Sequence, residues 1–209
     1  MNTSQTLMGD LTGVVAHLRQ ITVELRTADH AGGSGVIWRA DGLIVTSAHV
    51  LASDAGTAGA RGHSSAPAEK RAGASVVLAD GRRLPSALVE WDRQLDLALL
   101  RVEAGDLPAA VVGDSDRLRP GELVLAVGHP LGMARAVAAG VLHAAPDRRH
   151  SGGSRWLQAD LRLAPGNSGG PMADAGGRVV GVNAMIADGL ALAVPSNVVR
   201  AFVRRCVGP

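Results

Sequence analysis

The chain has 209 residues, of which 46% are hydrophobic, 19% charged and 2% aromatic, and its formal net charge is +2. That length and apolar content specify a folded protein with a sizeable core and exclude a disordered tail. With so few aromatic rings and with scattered arginines, the pI near 9.4 does not amount to a nucleic-acid surface, so no nucleic-acid partner is expected.

The first stretch, MNTSQTLMGDLTGVVAHLRQ, lacks a basic region followed by an apolar run, so no signal peptide is read. No segment is apolar for long enough to span a bilayer, so no membrane segment is expected. On this reading the chain is cytoplasmic, or periplasmic or secreted where a leader has been removed. Leu11, Val14, Val15 and Leu18 make one apolar stripe, predicting a short helix capped by Asp10. ITVELRT (Ile21–Thr27) then alternates apolar and polar residues as a half-buried strand does.

Short strands follow in two series. GSGVIWR, GLIVTSAHVL, ASVVLAD, RLPSALVEW and LALLRVE are separated by Gly, Asp and Pro. The Ala-, Gly- and Ser-rich stretch ASDAGTAGARGHSSAPAEKRAG interrupts them and reads as a mobile surface insertion. AGDLPAAVVGDSDRLRPG then connects to ELVLAVG, ARAVAAGVLHA, RWLQADL, GGPMAD, RVVGVNAMI and LALAVP. Strands at this spacing with few helices between them indicate antiparallel barrels or sandwiches, an all-β class. The halves share no evident sequence repeat. Val198, Val199, Phe202, Val203 and Cys206 form a last apolar stripe after Ser196 and Asn197. Cys206 is therefore a core residue of a terminal helix, and as the single cysteine it excludes an internal disulfide.

APGNSGGPM (Ala164–Met172) crowds three glycines and two prolines around Ser168. Glycine supplies backbone at positive φ and proline fixes φ, so the stretch is a pre-set turn that can present a hydroxyl and neighbouring N–H groups. An ordinary turn has the same composition. GNSGG also satisfies the G-x-S-x-G elbow of α/β hydrolases, which requires a histidine after the serine. None of His17, His30, His49, His63, His129, His143 or His150 follows Ser168, so an esterase of that fold is excluded. A base must lie upstream. His49 ends the apolar run LIVTSAHVL, and Asp96 sits among leucines in QLDLALL, where a carboxylate needs a donor such as a histidine N–H. From these residues alone a structural histidine and a strand-edge Asp remain open, with His129 and His143 as rival bases.

GSGVIWRADGLIVTSAHVL, VVLADGRRLPSALVEWDRQLDLALLRVE, GDSDRLRPGELVLAVGHPLGM, LQADLRLAPGNSGGPMADAGGRVVGVNAMI and LALAVPSNVV resemble, in order, the protease domain of the HtrA/Deg family of trypsin-like serine peptidases. The resemblance covers nearly all of Gly33 to Val199. It implies the chymotrypsin/trypsin-like fold, a double six-stranded β-barrel with short N- and C-terminal helices. The first barrel is expected over about 20–105, the second over about 120–197 and the last helix over 197–207, all in one peptidase domain spanning 1–209. It implies His49 as base, Asp96 as orienting acid and Ser168 as nucleophile. Gly166, Asn167 and Ser168 would form the oxyanion hole, and Leu163, Asn183, Ala184, Met185 and Leu192 the substrate-binding surface, with GVNAMI pairing to substrate backbone. No acid lies there, so small aliphatic residues are expected before the scissile bond, and Arg162 reads as a solvated loop charge.

No cofactor and no metal are implied. The expected partners are polypeptide substrates, with a homo-oligomer open. The expected activity is serine endopeptidase. The competing reading is a non-catalytic chaperone or peptide-binding module on the same fold, held in a resting conformation. Three features depart from the family: no PDZ domain is expected, IADGLAL is short, and the insertion after His49 is unusual. Digestive relatives of the trypsin type carry Asp before the nucleophile, where it pairs with a newly cut N-terminus. Here that residue is Asn167, so activation without trimming is expected.

Overall fold

The computed structural model describes residues 3–27, 31–51, 74–146 and 155–208. The insertion at 52–73 and His30, His63 and His150 lie outside the described residues.

The all-β expectation holds: antiparallel strands close into two six-stranded barrels. The first contains β1 (Thr22–Arg26), β2 (Ala31–Arg39), β3 (Leu43–Thr46), β4 (Ser75–Val77), β5 (Arg83–Asp92) and β6 (Leu97–Val102). The second contains β7 (Leu123–Gly128), β8 (Ala136–Ala144), β9 (Leu157–Asp160), β10 (Pro171–Asp174), β11 (Val179–Ala187) and β12 (Leu190–Pro195). Their neighbour orders, β1-β2-β3-β6-β5-β4 and β7-β8-β9-β12-β11-β10, are the same winding. The halves thus repeat in topology while sharing no evident sequence pattern. Closure leaves no long free edge on either sheet.

Strand alternation sorts the aliphatic residues into three layers. Val23, Leu25, Ile37, Ile44, Val76, Leu100 and Val102 fill the first barrel. Val124, Ala126, Leu142, Leu157, Ala159, Val180 and Ala193 fill the second. The odd-numbered faces of β3 and β6, Leu43, Val45, Leu97 and Leu99, instead meet Leu125, Val127, Val182 and Val194 between the barrels. That explains why β3 is buried at all four positions. The middle layer also receives Leu18 and Ile21 from helix α1 (Thr3–Ile21) and Val199, Phe202 and Val203 from helix α3 (Ser196–Val207). Cys206 packs against the same cluster, and burial pushes its thiol pKa up.

Three local expectations need correction. Helix α1 runs 19 residues from Thr3, so Asp10 lies within it and not at its start, and the helix is not short. The apolar stripe Leu11, Val14, Val15 and Leu18 packs on the barrels. His49 does not end a strand: β3 stops at Thr46, and His49 lies in a single helical turn, α2 (Ala48–Leu51). Asp96 does stand at a strand edge, immediately before β6 begins at Leu97.

Candidate active site

Asp96 occupies the turn before β6 with φ +55, the left-handed region that Asp tolerates better than most residues. There its main chain and its side chain both reach the α2 turn. The Ala48 N–H donates to the Asp96 carbonyl at 3.2 Å. The His49 N–H donates to Asp96 Oδ1 at 3.1 Å, and His49 Nδ1 lies 2.8 Å from Oδ2. The carboxylate is 13% exposed and the imidazole 49%, so the acid is the more sheltered partner, and His49 lines the cleft.

Ser168 comes from the second barrel, in the turn before β10. Ala164 to Asn167 form a tight turn closed by Asn167 N–H to the Ala164 carbonyl at 3.0 Å. Pro165 and Gly166 fill its central positions, with Gly166 at φ +103, as a type II turn requires. A side chain at Gly166 would collide with the His129 carbonyl. Gly169, at φ +84, is equally constrained, because a Cβ there would strike the Ser34 carbonyl and Thr46 Oγ1. Ser34 N–H to the Ser168 carbonyl at 2.9 Å and Gly169 N–H to the Asn183 carbonyl at 2.7 Å complete the setting. The N–H groups of Gly166 and Ser168 donate to no partner among the described residues. The Ser168 hydroxyl donates to the Ala184 carbonyl at 2.8 Å.

His49 and Ser168 share the wall of one cleft of about 350 Å³. Leu163, Gly166, Asn167, Asn183, Ala184 and Met185 line it as well, and so does Ile186. None of the lining residues is acidic. Leu192, 9% exposed, stays in β12 opposite Met185 and is not part of this wall. Asn183 is fully buried; its amide nitrogen donates to the Pro171 carbonyl at 3.0 Å, so its side chain braces the fold. Arg162 is exposed and away from the cleft lining. A larger hollow of about 710 Å³, lined by Arg117, Arg178, Asp116 and Asp174 among others, contains neither His49 nor Ser168.

Beside Ser168, a bulge at Ala184 interrupts the β11–β12 ladder between Asn183 and Met185. Strand β10 pairs β11 only as far as Val182. Residues 185–187 pair with β12 on one side, and Ala184, Met185 and Ile186 line the cleft. The rival histidines are placed elsewhere: His143 is exposed on β8, and His129 is buried behind the Gly166 turn. Burial holds the His129 pKa down to about 4. Among the described residues no group of His, Cys, Asp and Glu could hold a metal, and no helix is long and apolar enough to cross a membrane.

Two barrels with facing His–Asp and Gly–Asn–Ser turns define a chymotrypsin-like peptidase architecture, and sequence comparison agrees. The trypsin-like peptidase domain family matches residues 33–182. The chain belongs to that family, in its HtrA/Deg branch. It is 37% identical over 175 residues to the putative serine protease HhoB of Synechocystis, covering 78% of this chain and 37% of that one. It is 35% identical over 181 residues to mitochondrial serine protease HTRA2 of Drosophila pseudoobscura, covering 84% and 39%. A probable periplasmic DegP-like serine endoprotease of Marinomonas is 37% identical over 181 residues, with 82% and 34% covered. The chain thus spans under two-fifths of the length of these relatives. Among solved structures, an HtrA-type protease AlgW with a decapeptide superposes with a TM-score of 0.76 at 24% identity, covering 94% of this chain and 67% of that one. An AlgW variant with a tripeptide gives 0.75 at 28% identity, covering 93% and 62%.

Proposed function

We propose that the chain is a serine endopeptidase that hydrolyses extended or unfolded polypeptides through His49, Asp96 and Ser168. The observation that carries this reading is the His49 Nδ1 to Asp96 contact at 2.8 Å on the same cleft as Ser168. With Nδ1–H given to the carboxylate, the other ring nitrogen is left as an acceptor. Rotation of the Ser168 hydroxyl from the Ala184 carbonyl to that nitrogen prepares attack on a peptide carbonyl. His49 takes the hydroxyl proton as Oγ bonds to the carbonyl carbon, then returns it to the departing amine, leaving an acyl-enzyme. Water attacks in the second half-reaction with the same base. The unengaged N–H groups of Gly166 and Ser168 receive the negative charge on the carbonyl oxygen.

Substrate backbone is held along residues 184–187 as an added strand. The AlgW variant with a tripeptide supports peptide binding by this chain. The side chain before the scissile bond enters the acid-free pocket near Leu163, which suits a small aliphatic group. A second reading, a peptide-binding module at rest, is favoured by one observation: the Ser168 hydroxyl is bonded to Ala184, not to His49.

The readings separate on labelling with a fluorophosphonate. The wild-type chain should be labelled and cleave casein, and Ser168→Ala should lose both with an unchanged thermal midpoint. An unlabelled, inactive wild type that still binds unfolded protein would establish the second reading.

A further inference from the structure

Ser34 and His129 take no part in the reaction just described, yet both are packed behind the Gly166 turn. Ser34, in β2, is 0% exposed, and His129, following β7, is 7% exposed. The Ser34 hydroxyl donates to the Gly166 carbonyl at 2.7 Å. It accepts the His129 main-chain N–H at 3.0 Å, and His129 Nδ1 stands 3.3 Å away. A hydroxyl has one proton and two lone pairs. Its proton goes to Gly166, so the second lone pair faces Nδ1, which places the ring proton on that nitrogen. Every group in this small network is then satisfied, as a buried polar cluster requires.

These bonds act on two successive peptide units. In a trans peptide the C=O and N–H point to opposite sides. The Pro165 carbonyl is held by the Leu131 N–H at 3.1 Å, which aims the Gly166 N–H the other way, toward the cleft. The next carbonyl, of Gly166, is held by Ser34 and, at 3.4 Å, by the His129 N–H. Glycine at φ +103 has no side chain to resist rotation of these planes, so the resistance must come from such bonds.

We propose that Ser34 and His129 are positioning residues, a hydroxyl–imidazole pair contributed by opposite barrels that anchors the Gly166 carbonyl and so fixes the turn in which the Gly166 N–H faces the developing oxyanion. This rests on the hydrolytic reading above. Nothing in the motif around Ser168 points to either residue.

The test uses the full chain and a fluorogenic peptide. Ser34→Ala should lower kcat about ten- to hundredfold with KM unchanged, the size expected for misplacing one donor without deleting it. Affinity for a peptide boronate, whose tetrahedral adduct puts an oxygen in the hole, should fall by the same factor, while a product peptide binds as before. His129→Ala should behave alike. His129→Asn, which offers an amide nitrogen where Nδ1 lies, should recover most of that loss. Wild-type kcat and boronate affinity in both alanine variants would overturn the proposal. So would equal losses in boronate and product-peptide affinity, the mark of a general structural role. If Ser34→Ala fails to fold, the comparison of His129→Asn with His129→Ala decides. Failure of the hydrolytic reading shows itself separately, as a wild-type chain that fluorophosphonate does not label.

Discussion

Asp96 holds a left-handed backbone at φ +55, which costs a non-glycine residue on the order of 1–2 kcal/mol. That conformation is retained because it lets a single residue receive the Ala48 and His49 N–H groups and the imidazole together. Asp96→Asn keeps the size and one acceptor but replaces the other with a donor, which favours the wrong imidazole tautomer. A loss of about 10⁴ in kcat is expected, and steady-state kinetics with a Tm unchanged within a few degrees would check it. His129 gives a different prediction at this scale. It faces Glu24, which raises its pKa, and Arg135 and Arg26, which lower it, but burial dominates and holds it near 4 against 6.5 in the unfolded chain. Between those values the unfolded state binds more protons, so stability falls as pH drops from 6.5 toward 4, by up to about 3 kcal/mol from this residue. Thermal melts should show a steeper acid loss for wild type than for His129→Asn; parallel curves would refute the assignment.

At the scale of elements, the strands were legible because their punctuation is local. Asp188–Gly189, with φ values of +51 and +79, makes the two-residue turn between β11 and β12 that an Asp-Gly pair predicts. The full length of α1 was not legible, because Thr3, Ser4, Gln5 and Thr6 include no apolar residue and Gly9 interrupts the pattern. Nor was the α2 turn, since a four-residue helical turn inside LIVTSAHVL is too short to have a pattern of its own. Helix α3 carries the chain's one phenylalanine, Phe202, 1% exposed in the layer between the barrels. Phe202→Ala should cost about 3–5 kcal/mol. Because that layer touches both barrels, denaturant unfolding followed by separate tryptophan probes should stay a single transition at a lower midpoint. Two separated transitions would show that the barrels do not depend on it.

At the scale of the molecule, the site exists only where the barrels meet. Ser34 N–H to the Ser168 carbonyl at 2.9 Å and Ser47 Oγ to the Asn183 carbonyl at 3.0 Å stitch the two sheets beside the nucleophile. The cleft between them has no acid among its lining residues, and burying an unpaired cation there costs several kcal/mol. Mass spectrometry of cut sites in a denatured protein should therefore show cleavage after small aliphatic residues, and cleavage mainly after Arg or Lys would refute this. Asn167, 6% exposed, stands where an ion pair with a cut N-terminus would need a carboxylate. The chain with its N-terminal residues intact, verified by intact mass, should be active without trimming.

The sequence by itself determined the strands, the largely aliphatic core and the upstream position of any base for Ser168. Those follow from local periodicity, from composition and from chain order. Which histidine serves was open from the residues and was narrowed by the family resemblance. Only the tertiary structure put His49 on Asp96 and turned His129 away into the wall behind Gly166, because that depends on how two barrels of equal winding dock. The roles of Ser34 and His129 belong wholly to the fold. Residues 95 positions apart can share one hydroxyl only after both barrels have closed and their aliphatic faces have excluded water between them.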